Sequence, residues 1–386
     1  MASTSLPPAN STRRILAKAL SDRLGYGGNE DCITFIRCNG REFQIEMSPS
    51  FICISPVVES RYRNFIAAVK DDEEYDPTAP DPEIVVADFH EWLIAVFEPL
   101  FLELAPDVPP SFDPAKLRTG EVRPLLLDYL FIERHGCRLE VENEKAFPVH
   151  SRDEEKLLSP IFNRSLHPGL VQELRQHVKY FDPSSVEVSF RKPKYALSRE
   201  PTRVLVELDD SSQKTACFFE SFADHYYEGL DNELELHLDL LKSDLASDAR
   251  VARLRGVVVA EDGGVAGLLL TYVPRGKGDS GLWTRAYQTP IILRQRWAMQ
   301  IQETVAQLHH AGLVWGNSMQ YNVVVDENND AWLLGFGRHY TEGLVDEDKV
   351  GTKEGDLQWA AKIVEHLSNA PYEPYDGSEW DSGEDW

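Results

Sequence analysis

An α+β protein is expected from the order of hydrophobic patterns along the chain. A strand-period stretch comes first, over residues 32–47, and a helix-period face follows over 89–104. From Val186 onward, short β-like runs give way to one long helix and then to two apolar strands. Strands and helices grouped in this way, rather than alternating strictly, point to sheets with helices packed on them.

Residues 1–12 are polar and carry prolines, so they read as a flexible tail. Cys32-Ile-Thr-Phe-Ile-Arg-Cys and Glu42-Phe-Gln-Ile-Glu-Met alternate around Asn39-Gly40, a pair suited to the left-handed positions of a type I′ turn. A hairpin is expected there. Residues 70–83 are acidic and proline-rich and read as a loop. Asp88 is expected to cap a helix over 89–104, with Trp92, Leu93, Val96, Phe97 and Leu100 on one face. A second proline-rich loop follows at Val108, and a patchier helix is expected over 151–180, ending near Phe181-Asp-Pro. The runs 186–190, 204–208 and 215–219 read as strands. Thr289-Pro290 is expected to open a helix whose Trp297, Ile301, Val305 and Leu308 share a face, with Gly312 closing it.

The texture changes near residues 180–200, which divides the chain into an N-terminal α/β extension (1–185) and a second domain (186–370). Residues 371–386 hold six acids and no base, and are expected to form a disordered, solvated tail.

A net charge of −25 argues against nucleic acid and against anionic membrane surfaces as partners. No apolar run reaches the ~18 residues that a membrane span needs. The first residues lack the apolar core of a secretory signal. Cys32, Cys38, Cys53, Cys137 and Cys217 are scattered, odd in number and without zinc spacing. They read as reduced thiols of a cytoplasmic or nuclear protein.

The most specific signal lies in the last third. Leu308-His-His-Ala-Gly-Leu-Val-Trp-Gly leads into a polar loop containing Asn317 and, five residues on, Asn322. Two apolar strands follow, then Gly335-Phe336-Gly337, then Gly351-Thr352 and Glu354-Gly-Asp356-Leu at the start of another helix. This order resembles the catalytic core of protein kinases and related small-molecule kinases. It looks most like a fungal kinase-like family whose loop reads Trp-Gly-Asp-x-x-x-x-Asn and whose metal loop reads Asp-Phe-Gly. Upstream, Cys217-Phe-Phe-Glu220 sits where that family places Phe-Phe-Lys. The run from Asn232 resembles the helix that supplies the glutamate partner of that lysine, here Glu233 or Glu235. Residues 267–273 resemble the strand leading to the hinge. The resemblance implies a two-lobed protein-kinase-like fold with lobes at 186–273 and 274–370. The C-lobe is truncated, with little chain left for the later substrate-binding helices.

Phosphoryl transfer depends on positioning and charge neutralisation: a lysine on the phosphates, metal held by an aspartate and an asparagine, and a carboxylate base. Carried onto this sequence, the base position is Asn317, which accepts no proton at neutral pH. The metal aspartate is replaced by Gly335, and the lysine by Glu220 unless nearby Lys214 supplies that charge. Met319 stands where many kinases carry a loop lysine. Asn322 remains, and Asp356 matches the aspartate that braces the catalytic loop. Loss of a general base alone costs ~10²–10⁴ in rate. No metal site and no cofactor are therefore expected, and binding of ATP with Mg²⁺ is brought into question.

The blander readings are a solvated helix face for Glu233 and Glu235, and a helix-end cation for His309 and His310. His90-Glu91 and Asp224-His225 read as surface. Three functions follow from the resemblance. The first is a catalytically impaired kinase-like protein, a pseudokinase, acting as a binding or regulatory scaffold for a protein partner. The second is an enzyme of specialised metabolism in which the former nucleotide cleft steers a cyclisation or rearrangement. Tyr272, Trp315, Asn317, Asn322 and Phe336 would then line a pocket for a small organic ligand. The third is a weak atypical kinase using Asp326, Asp330 or Asp346 as relocated acids.

Overall fold

The computed structural model describes residues 17–25, 30–52, 54–70, 82–151, 168–190, 192–209, 213–222, 230–260, 263–275, 281–316, 322–337 and 343–372. The protein is a mixed α+β molecule whose chain divides into two compact units. The first comprises residues 1–124, 131–159 and 190–201, and the second 125–130, 160–189 and 202–386. The chain therefore passes between the units more than once, and each is described separately.

The first unit is built on a five-stranded sheet in sequential order, β1 (Ala17–Leu24), β2 (Cys32–Cys38), β3 (Arg41–Met47), β4 (Arg134–Glu142) and β5 (Lys145–His150). β2 and β3 form the expected hairpin, with Asn39 at φ 47° and Gly40 at φ 76°, the two left-handed residues of a type I′ turn. β3 and β4 pair in parallel, which requires a long connection. That connection carries the one-turn helix α1 (Pro49–Ile52), α2 (Pro56–Lys70), α3 (Pro82–Leu104) and α4 (Pro114–Thr119).

α3 begins six residues before the expected Asp88 cap, with Pro82 at its first turn, a position where the missing N–H is no loss. It continues through Pro99, and its Phe89, Leu93, Phe97 and Phe101 are buried against the sheet and α2. Phe89 stacks on Phe65 at 4.0 Å, and Phe101 meets Phe43 at 4.6 Å. Within this apolar layer sits one polar knot: Thr34 Oγ1 donates to Asp22 (2.6 Å), and His90 Nε2 lies 2.9 Å from the same carboxylate. His90, expected at the surface, is instead tied to a strand residue 68 positions away.

The second unit contains a six-stranded sheet, a two-stranded ribbon and helices packed on both. The short α5 (Leu126–Leu130) belongs to it, followed by α6 (Pro168–His177), β6 (Lys179–Phe181), β7 (Glu187–Val188), β8 (Arg203–Val206) and β9 (Thr215–Ser221). Next come α7 (Leu230–Lys242), β10 (Leu254–Val259) and β11 (Val265–Thr271). The sheet order is β6-β10-β11-β9-β8-β7. The patchy helix expected within 151–180 is the ten-residue α6 in its described part, because the chain turns into a strand at Lys179 that pairs in parallel with β10. The remainder of that expectation, residues 152–167, lies outside the described residues, as does most of the acidic loop 70–83 and the acidic tail from 373.

The rest of the unit runs α8 (Gly281–Tyr287), α9 (Ile291–His310), β12 (Val323–Val325), β13 (Ala331–Leu333) and α10 (Lys353–Asn369). Thr289 does not cap α9; its hydroxyl donates back to the Arg285 carbonyl (2.7 Å), and Pro290 stands at the N-cap without a side-chain bond. Trp297, Ile301, Val305 and Leu308 of α9 form one core with Trp315, Val323, Val325, Phe336, Trp359 and Ile363. A second core joins α6 and α7 to β10 and β11 through Leu174, Leu234, Leu238, Val257 and Leu268. Among the described residues, no helix is long and apolar enough to cross a membrane.

Candidate functional site

Two clusters of charged side chains lie in the second unit, and both involve residues singled out in the sequence. The first is centred on Asp356, in the opening turn of α10. Thr352 caps that helix by accepting from Gly355 N (3.1 Å), which fixes Asp356 with its side chain inward and 3% exposed. Its Oδ2 accepts from the Trp315 backbone N–H (2.9 Å) and lies 2.8 Å from His309 Nε2. Its Oδ1 accepts from Gly316 N–H (2.8 Å). One buried carboxylate thus holds the backbone that follows α9 and ties the end of that helix to it. His309, in the last turn of α9, thus lies against Asp356, whereas His310 is exposed.

Glycine is required at Gly316, where φ is +72° and an added Cβ would stand 2.5 Å from the Gly337 carbonyl oxygen. Trp315 is fully buried, its indole N–H donating to the Leu334 carbonyl (2.9 Å) and its ring edge-on to Trp359 at 4.3 Å. Leu334 N–H donates to the Asn322 carbonyl (2.8 Å), so Asn322, Trp315 and the 334–337 stretch are joined by backbone. Gly335 stands in that stretch at φ +52° and brings no ligand atom from a side chain. Asn317 and Met319 lie outside the described residues.

The second cluster joins β9 to α7. Glu220 pairs with Leu268 across β9 and β11; the residue is half-buried, and its buried Oε2 lacks any hydrogen-bond partner. Glu233 lies in the first half of α7 and is 5% exposed, while Glu235 points to solvent. One turn beyond Glu233, His237 is fully buried, with Nε2 3.9 Å from Glu233 Oε1 and neither ring nitrogen hydrogen-bonded. The imidazole and the Phe336 ring form a T-shaped pair at 5.6 Å, which places Phe336 against His237 as well as in the core.

Burial disfavours charge on all three groups. It pushes the Glu220 carboxyl up to about 7. Burial, and then the neighbouring Glu220 charge, push Glu233 up to about 8. Burial drives His237 down to about 4, so the imidazole is neutral at physiological pH. Lys214, which could have answered these carboxylates, is ion-paired with Glu187.

The relocated acids are each engaged locally. Asp326 accepts from Asn328 N, Asp330 N and Trp332 Nε1, and so shapes the β12–β13 turn. Asp330 meets Arg296 and Gln300, and Asp346 meets Lys349 and Gln358. Tyr272, after β11, lies under the Arg203 guanidinium at 5.2 Å. Sequence reasoning passed over His237, although its four-residue step from Glu233 places the two on one helix face and was the signal to follow.

Compared with known proteins, the chain matches no family model and no curated protein.

Proposed function

We propose that this chain is a kinase-like protein that has lost phosphoryl transfer and acts as a binding or regulatory scaffold for a protein partner or a small organic ligand. The observation that carries the reading is that Glu220 and Glu233 are both acids, Glu233 buried and Glu220 half-buried. The two residues assigned by resemblance to a lysine and its glutamate partner are both acids, and the Glu220 charge adds to burial in raising the Glu233 carboxyl. A lysine there would neutralise phosphate charge, whereas a second carboxylate repels it. Gly335 removes the metal carboxylate, and an asparagine replaces the base, so the losses fall on every chemical step. The Asp356 brace supports the same reading from the opposite side, since the scaffold bonds are kept while the reacting groups are gone.

A thermal-shift titration with ATP, with and without Mg²⁺, tests it. A ligand at ~100 times its dissociation constant stabilises the folded form by ~2.7 kcal/mol. The expected result is no Mg²⁺-dependent shift and no transfer of labelled phosphate to protein or small-molecule acceptors. Turnover that requires Mg²⁺ and disappears with Asn322→Ala would overturn the reading.

A further inference from the structure

We propose that an acid-rimmed groove along the outer face of α10 docks a basic segment of a partner protein, in which lysines or arginines flank an apolar side chain. The groove shares no lining residue with the Glu220, Glu233, Asn322 and Gly335 positions, so docking there is independent of what the kinase-like cleft binds.

Two cavities, of about 670 and about 390 Å³, share Leu344, Lys362 and Glu365 and so run into one another along α10. At one end the apolar lining is Leu344, Val345 and Ala361. Leu357, one turn before Ala361 on the same helix face, is 57% exposed and lengthens this strip. At the other end the lining is aromatic. Trp283 and Tyr287 of α8 stand around His366 of α10, with ring centroids 3.9 and 5.6 Å from the imidazole. The indole N–H of Trp283 is shielded from water and donates to nothing, an unfilled donor that a backbone carbonyl of a docked segment would satisfy. Contiguous exposed apolar surface inside a polar rim is the usual build of a protein-binding patch.

Charge selects the occupant. The rim carries four acids, Asp346, Glu347, Asp348 and Glu365, against the single base Lys362. Asp346 is held through Oδ2 by Lys349 and Gln358. The side chains of Glu347 and Asp348 make no hydrogen bond or ion pair. Glu365 meets Lys362 at 3.8 Å with both side chains more than half exposed, a pair that water screens. A second copy of this chain would bring its own net charge of −25 to the same rim, and residues 373–386 would bring six acids. Both are repelled there. A basic segment is attracted by the rim, and its apolar side chain gains by leaving water for the Leu344 or Trp283 end of the groove.

The test titrates the full chain into a fluorescein-labelled peptide in which lysines and arginines flank a leucine and a tryptophan, with anisotropy as the readout. Replacing Glu347→Gln, Asp348→Asn and Glu365→Gln together should weaken binding about tenfold or more. The control Glu91→Gln, Glu98→Gln and Glu103→Gln removes as much charge from exposed positions of α3 and should change binding less than about twofold. A peptide with serines in place of leucine and tryptophan should bind more weakly, and the parent peptide should slow amide exchange over 343–348 and 357–366. Equal weakening by the two triple variants, undiminished binding of the serine peptide, or protection confined to other segments would overturn the proposal. So would a dimer in sedimentation velocity whose formation protects 343–348, since a second copy would then be the occupant. If the groove variant does not fold, the exchange map of the wild-type chain and the serine peptide decide alone.

Discussion

At the scale of single residues, Asp356 holds the Trp315 and Gly316 amides and meets His309 from the start of α10. Replacing it by alanine leaves the Trp315 and Gly316 amides without their acceptor, and each unsatisfied buried group costs ~1–3 kcal/mol. Asp356→Ala should therefore lower the stability measured by urea unfolding by about 3 kcal/mol or more, with Asp356→Asn losing less. Glu220→Lys makes the opposite kind of change, putting a cation where a second acid now raises the Glu233 carboxyl. It should raise the Tm at pH 8.5 and still yield no Mg²⁺-dependent phosphoryl transfer, because Gly335 and Asn317 are unchanged. Asp356 and Glu220 are marked in the sequence by the spacing of a resemblance, which leaves Glu233 and Glu235 as alternatives. His237 is marked only by its four-residue step from Glu233, and the Asp22–His90 contact by nothing local, since it joins residues far apart in the chain.

At the scale of elements, local chemistry was readable wherever the backbone demanded particular residues. The β2–β3 hairpin is one such place, since Asn39-Gly40 suits two consecutive left-handed positions. α3 starts at Pro82 rather than after Asp88, because the proline pre-sets the first turn. The strand β6 was absorbed into a helix because three residues show no period, and their pairing with β10 is a tertiary event. The Gly316 turn offers a direct check on how tightly the Asp356 brace is drawn. Gly316→Ala must adopt a left-handed backbone costing roughly 1–2 kcal/mol and push against Gly337. Its loss of stability in urea should exceed that of Thr352→Ala, which removes a cap worth about 1 kcal/mol.

At the scale of the whole molecule, charge and burial set the behaviour in solution. A net charge of −25 repels itself, and salt screens that repulsion, so the Tm should rise as sodium chloride is increased from low to moderate concentration. The thiols follow burial. Cys32, Cys38 and Cys137 are pushed up to about 12 and Cys217 to about 11, each chiefly by desolvation. At pH 8 these four should resist iodoacetamide until denaturant is added, which peptide mass mapping would show. The α+β character was legible from the hydrophobic periods, whereas the interleaving of the units was not, because no local pattern records which sheet a strand will join.

That interleaving governs how the protein can be cut. α5, with Leu126, Tyr129 and Leu130 buried, is held to the second unit by the bond from Leu126 N–H to the Val186 carbonyl, although it comes sixty residues earlier. A fragment starting at 186 would lack α5, α6 and β6, baring the apolar surfaces they cover and the free edge of β10. Such a fragment is expected to precipitate on expression, whereas supplying the upstream peptide in trans should bring it back into solution.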